Sequence, residues 1–320
     1  MDNQTQSNGS TCYIVHNLDK YLYPPAYSIF FIIGLPANCM SLYVAWILAR
    51  NGNNMAVYLV NLSISDLLYI ISLPVWIEHS LQHSVDRTLC SFIDLIMNNS
   101  FYVGASFLCC ISVDRYLAVV YPLHFRTVRS IRFALFMSIA VWCAELSLQL
   151  GFLYYTESLL HFSEKNMCEK KDPMDSKQAH VALVRVVYGF LLPLLLMSLC
   201  FVRIMRALNQ SVATLGSERR KIKMLLLLLL LTYIVSFAPY QTVMFIESIW
   251  EPGNCAFAQR MVNPYLIVVA LTTINSVVDP ILYCLLSESA KTEMKKLLQC
   301  IKVTFEKIID RHTAPHTSAS

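Results

Sequence analysis

The chain has 320 residues, of which 56% are hydrophobic and 14% charged, with a mean hydropathy of +0.51; an ordinary soluble domain is about a quarter charged. These figures exclude a cytosolic globular fold. The length would suit two soluble domains, but the apolar runs are too long for strands or surface helices, so one polytopic membrane domain is the better division.

A bilayer core needs about 20 mostly apolar residues per helix. Seven such runs follow one another, at residues 24–49, 56–81, 90–119, 131–154, 180–207, 221–249 and 260–285. An odd number places the termini on opposite sides of the membrane, and basic residues near helix ends stay cytoplasmic. With the N-terminus outside, the inner side carries 17 Lys or Arg against 6 Asp or Glu, and the outer side 8 against 12. The inner excess, from Arg126 and Arg129 to the rim Arg219–Lys223, makes the net charge of +4 a topology signal rather than a nucleic-acid patch. Glycosylation sequons at Asn3 and Asn8 agree with an external leader. No removable signal peptide is visible, so the first span is expected to act as the signal. The predicted division is an extracellular segment 1–23, a bundle 24–286, and an amphipathic helix with a cytoplasmic tail 287–320.

Eleven cysteines are sorted by position better than by count. Four fall on the outer side, where oxidation is allowed. Cys90 is expected to pair with Cys168 and Cys12 with Cys255, against the alternative of free thiols. The others read as small buried apolar residues, save Cys300, a candidate for palmitoylation.

No internal repeat or interrupted helix pair points to a transporter. Dinucleotide, phosphate-loop, hydrolase and zinc-protease signatures are missing, and the eight histidines form no metal-ligand spacing. No enzyme activity, cofactor or metal is expected. Asp66 with Asp279 is the one pair an intramembrane enzyme could use, and acids at membrane depth more often serve ion and switching roles.

Several motifs fall in order on the successive spans. They are Gly34-Leu35-Pro36-Ala37-Asn38, Leu62-Ser63-Ile64-Ser65-Asp66, Asp114-Arg115-Tyr116, Trp142, Pro193, Phe237-Ala238-Pro239-Tyr240 and Asp279-Pro280-Ile281-Leu282-Tyr283. Together they resemble a rhodopsin-like G-protein-coupled receptor over nearly the whole chain, which implies an all-α, seven-helix plasma-membrane bundle with a short amphipathic eighth helix. The stretches Phe107–Val119 and Val278–Cys284 resemble the proton-sensing and lysolipid-linked receptors of that family. Met174-Asp175-Ser176 and Gln210-Ser211-Val212 resemble its G2 accumulation branch, whereas Glu145 resembles the more strictly acid-sensing branch.

Asp66, Glu145 and Asp279 are ionisable at membrane depth, and burial and a nearby like charge both disfavour ionisation. If Asp66 and Asp279 face each other beside Asn38 and Asn275, they share a proton and titrate jointly; the alternative is a sodium-binding or structural polar cluster. Five histidines, His16, His79, His83, His161 and His180, lie on the predicted outer side, and His79 and His83, four apart, are expected on one helical face, where charging would push them apart. Acid-sensing relatives tend to carry histidine where this chain has Gln241 and Leu266, which raises the lipid reading, while extracellular protons acting on Asp66, Glu145, Asp279 and the outer histidines stay the leading expected trigger. For the lipid reading, Arg185 would hold an acidic head group while Phe101, Tyr102, Phe237, Tyr240, Phe245 and Tyr265 line an apolar cavity. The alternative is an internal pair of Arg185 with Glu145 or Glu247.

On the inner side the resemblance implies a switch at Arg115, held by Asp114 and followed by Tyr116, a weak point at Pro239, an inward-turning Tyr283, and Leu123 entering a heterotrimeric G protein. The basic rim would meet that protein and anionic lipids, and arrestin is a further expected partner. Arg219 stands where many relatives place an acid, so activity without ligand is expected.

Overall fold

The computed structural model describes residues 12, 14–15, 17–121, 130–159, 173–210, 216–286, 290–297 and 299. Asn3, Asn8, Leu123, Cys168 and Cys300 lie outside them, as does the side chain of Arg219. The described residues form helices α1 (Asp19–Arg50), α2 (Asn54–Ser80), α3 (Arg87–Val120), α4 (Ile131–Tyr155), α5 (Ser176–Gln210), α6 (Gly216–Trp250) and α7 (Cys255–Leu286), with residues 290–297 helical after them. Among these residues, seven helices are long and apolar enough to cross a membrane. Large apolar side chains such as Ile32, Phe136, Ile139, Leu192 and Leu195 stand exposed on the outside of the bundle, where hydrocarbon would cover them.

Local chemistry sets the helix starts. Asn53, Asp86 and Ser130 each accept a backbone N–H three residues on, capping α2, α3 and α4. Asp175 and Gln178 form a reciprocal capping box, which starts α5 at Ser176 rather than near 180. The first span likewise begins at Asp19 rather than 24, and the last at Cys255 rather than 260; these end turns are polar, so hydropathy alone misses them.

Polar side chains bind the helices to one another in the apolar interior. Asn38 on α1 donates to the carbonyl of Ser276 on α7 at 2.7 Å, and Ser63 on α2 donates to Ser41 on α1 at 2.9 Å. Asn61 on α2 donates to Ser138 at 3.1 Å and accepts from Trp142 Nε1 at 3.0 Å, both on α4. Below them a core of Leu62, Phe107, Leu108, Ile111, Tyr233 and Phe237 closes the centre of the bundle.

One wide π turn, Val187–Leu191, interrupts α5. Gly189 sits in it against Tyr102 of α3, and a Cβ there would stand 2.3 Å from the ring. The Gly189 carbonyl accepts the buried hydroxyl of Tyr233 on α6 at 3.1 Å, so the turn is held from two neighbouring helices. Gly189→Ala is expected to destabilise the protein by about 1–3 kcal/mol through overpacking. Purified protein should melt lower and reach the cell surface poorly; an unchanged melting temperature would mean that Tyr102 gives way freely.

Candidate functional site

Three buried carboxyls lie inside the bundle: Asp66 on α2, Glu145 on α4 and Asp279 on α7. Asp279 accepts from Asn275 Nδ2 at 2.8 Å, Asp66 is bonded by the Ser276 hydroxyl, and Glu145 accepts from Ser106 of α3 at 2.6 Å. α7 thus sets Asp279 and the two side chains Asn275 and Ser276 opposite Asp66, while Asn38 closes the group from α1. The cluster is unbalanced toward acceptors. Asn38 Oδ1, Asp66 Oδ2, Asn275 Oδ1 and Asp279 Oδ1 are all buried and find no hydrogen-bond donor among the described residues, and neither does Glu145 Oε2. Among those residues no lysine or arginine forms an ion pair with any of the three acids.

Towards the end of the bundle where α1 begins, a cavity of about 80 Å³ is lined by Tyr27, Tyr69, Asp94, Phe101, Tyr102 and Tyr265, among others. Tyr69 shares a hydrogen bond with Thr272 at 3.1 Å on its wall. Asp94, which accepts from Asn98 Nδ2 at 2.9 Å, was not singled out from sequence. Its signal was a spacing of four between two polar residues in an apolar run. Glu247 and Glu251 near the end of α6 are also fully buried, and Glu251 accepts the Met174 N–H at 2.9 Å just before α5.

The predicted aromatic residues are brought together in part. Phe101 meets Phe237, Tyr102 and Tyr240 edge-on at 4.4, 5.0 and 5.8 Å, and Tyr240 reaches Tyr265 at 6.3 Å. Phe245 departs from the expectation. It is 44% exposed and points out of the bundle, because α6 is apolar on every side and its sequence does not say which face turns inward.

Arg185 departs as well, since it does not line the cavity. Its guanidinium lies over the rings of Tyr102 and Phe152, at 5.6 and 5.4 Å, and donates to Gln149 Oε1 at 2.7 Å. Neither Glu145 nor Glu247 is within ion-pair distance of it among the described residues. Cation–π faces and a neutral amide touch the charge, and the Asp94 carboxylate acts on it from farther away.

The two histidines of α2 do not share a helical face. The helix ends at Ser80, Gln82 takes a left-handed φ of 62°, and the His83 N–H turns back to the Glu78 carbonyl. His83 pairs with Glu78 at 2.5 Å in the open, while His79 meets the Trp76 ring edge-on. A nearby carboxylate thus faces His83 instead of a second imidazole.

At this end the structure joins Cys12 to Cys255, and Gln259 clasps Val15 by a reciprocal pair of bonds at 2.8 and 2.6 Å. Cys90 is disulfide-bonded too; Cys168 lies outside the described residues. At the opposite end Asp114 holds Arg115 Nη2 at 2.7 Å and also accepts from Asn54 of α2. Tyr116 packs on Tyr121, Pro239 lies within α6, and Tyr283 is buried.

The chain matches the family described as 7 transmembrane receptor (rhodopsin family) over residues 37–283. It is 35% identical to G-protein coupled receptor 68 of Bos taurus across 93% of this chain and 83% of that one. To G-protein coupled receptor 65 of Homo sapiens it is 34% identical, covering 89% and 88%. To lysophosphatidic acid receptor 6 of Mus musculus it is 28% identical, covering 90% and 87%. The protein belongs to the rhodopsin family of 7 transmembrane receptors. It is a multi-pass membrane protein of a family of G-protein-coupled signalling receptors, not of enzymes.

Gln149→Leu should remove the hydrogen bond that the Arg185 guanidinium makes among the described residues, at a cost of about 1.5–3 kcal/mol. Thermal melting of the purified receptor measures it, and a melting temperature equal to wild type would mean that the ring faces suffice.

Proposed function

We propose that this receptor converts extracellular acidification into activation of a heterotrimeric G protein, with the N-terminus outside the cell. The observation that carries the reading is the surplus of buried acceptor oxygens around Asp66, Asp279 and Glu145. A proton turns a carboxylate oxygen into a donor, so acid supplies what this cluster lacks and removes repulsion between α2 and α7. The cavity of about 80 Å³ near the start of α1 has room for a few waters but not for a lipid, whose sites run to about 300–1,000 Å³. Three disulfide-bonded cysteines at the leader end, Cys90 and the Cys12–Cys255 pair, support an oxidising and hence external side. Sequons at Asn3 and Asn8 would be glycosylated there.

On the cytoplasmic side, Arg115 leaves Asp114 when α6 swings outward about Pro239, and Tyr283 turns into the space opened. The G protein, and arrestin after it, then docks against Arg115, Leu123 and the basic rim Arg219–Lys223. A second reading, an acidic lysolipid bound at Arg185, is favoured by one observation: the Nε of Arg185 is buried and has no hydrogen-bond partner among the described residues. The relative named as a lysophosphatidic acid receptor lends it weight.

Cyclic AMP, inositol phosphate and Rho output, read in transfected cells as outer pH falls from about 8 to about 6, tests the proposal. Wild type should respond steeply and Arg115→Ala should not. An amide cannot ionise and so imitates the protonated acid; Asp279→Asn and Glu145→Gln should therefore signal at higher pH, by about one pH unit. A flat signal that depends on Arg115 would overturn proton sensing and send attention to lipids at Arg185.

A further inference from the structure

On the outside of the bundle α4 and α5 draw apart, leaving a groove of about 460 Å³ toward the leader end. Its walls are Leu148 and Phe152 of α4 and Val181 and Val184 of α5, and Leu148 and Val184 are 43% and 50% exposed. Gly151 forms the floor, with nothing within 4 Å of the place a Cβ would occupy. Both helices are membrane spans, so bilayer lipid is what covers this face. At the outer end the Tyr155 hydroxyl and His180 Nδ1 share a hydrogen bond at 3.4 Å and both are exposed, at the level where amphipathic rings meet the head groups.

The lining selects among lipids. It contains no lysine or arginine to grip a phosphate and no aspartate or glutamate, with a histidine at the rim. A flexible acyl chain would lose rotamer freedom on being ordered there, whereas a rigid fused-ring body has little to lose. The bare strip at Gly151 accepts a flat face. We propose that the α4–α5 groove is a sterol site, with the ring system against Gly151, Phe152 and Val184 and the single hydroxyl bonded to the Tyr155–His180 pair. The site is separate from the carboxyl cluster and independent of what triggers the receptor. It still touches the interior, because Phe152 carries the Arg185 guanidinium on its ring. A bound sterol therefore braces the aromatic support on which Arg185 rests.

The test uses full-length receptor in cell membranes and a photoreactive sterol with its hydroxyl intact. Label should map to residues 147–155 and 180–184, and excess cholesterol should suppress it. Gly151→Leu should cut labelling about tenfold or more by filling the floor, equivalent to ~1.4 kcal/mol. Val184→Trp should do the same from the opposite wall, which keeps the test decisive if Gly151→Leu fails to reach the surface. Joint Tyr155→Phe and His180→Phe should cut it about fivefold through the lost hydrogen bond, and cholest-5-ene, which lacks the hydroxyl, should compete correspondingly worse than cholesterol. Labelling that cholesterol does not suppress, that both groove-filling variants leave intact, or that lysophosphatidylcholine displaces as well as cholesterol does would overturn the proposal. These readouts do not involve pH or second messengers, so proton sensing and sterol binding fail separately.

Discussion

Inside a bilayer no water is available to complete a polar group, so each must find its partner within the bundle. This constraint orders the interior. Asn38, Ser41, Asn61, Ser63, Ser138 and Trp142 satisfy one another or a backbone carbonyl across helix boundaries, and in doing so they fix α1, α2, α4 and α7 side by side. Dispersion alone discriminates weakly among apolar helices, since lipid tails are as apolar as leucine. Among the atoms left over, Asn38 Oδ1, Asp66 Oδ2, Asn275 Oδ1 and Asp279 Oδ1 form one group in which every member is an acceptor. An excess of acceptors at membrane depth is tolerable when a proton is part of the arrangement.

From the cavity, aromatic contact runs into the middle of the bundle. Phe101 at the cavity touches Phe237, Phe237 touches Tyr233 one turn below, and Tyr233 grips the π turn of α5 through the Gly189 carbonyl. Pro239 lies two residues beyond Phe237 in α6, where the helix has lost a backbone bond. A rearrangement at the cavity therefore bears on the most deformable point of α6. At the far end Asp114 holds Arg115 while itself anchored by Asn54, so the cytoplasmic arginine is tied to α2, the helix that carries Asp66. Contact of this kind makes coupling physically available; its strength is a free energy, not a path.

The seven spans were legible because hydropathy over 20 residues integrates many weak preferences into one strong one. Their ends were less legible, and Asp175 with Gln178 shows why: the capping signal was present at the right spacing, but it lies in a polar stretch that a hydropathy reading discards. Which way a side chain faces was hardest to read. Phe245 looked like its aromatic neighbours in a helix apolar all round, yet it turns to the lipid. His79 and His83 were four apart, and the left-handed Gln82 between them broke the helix on which that spacing depended. The π turn showed in α5 only as Gly189, because what holds it is Tyr102 on α3 and Tyr233 on α6.

Geometry also weighs the two triggers against each other. Tyr102 lines the cavity and Arg185 does not; the guanidinium stands over the Tyr102 ring, Tyr188 stacks on that ring at 5.4 Å, and the Gly189 backbone abuts its edge. A lipid head group entering from the cavity reaches Arg185 only after Tyr102 has swung away from all three, and the 80 Å³ space must also grow severalfold to take the chain. A proton needs neither movement. The Tyr69 and Thr272 hydroxyls, bonded to each other on the cavity wall, are two groups able to relay one. The proposed proton trigger thus needs no opening of this cavity, whereas a lipid would first require one.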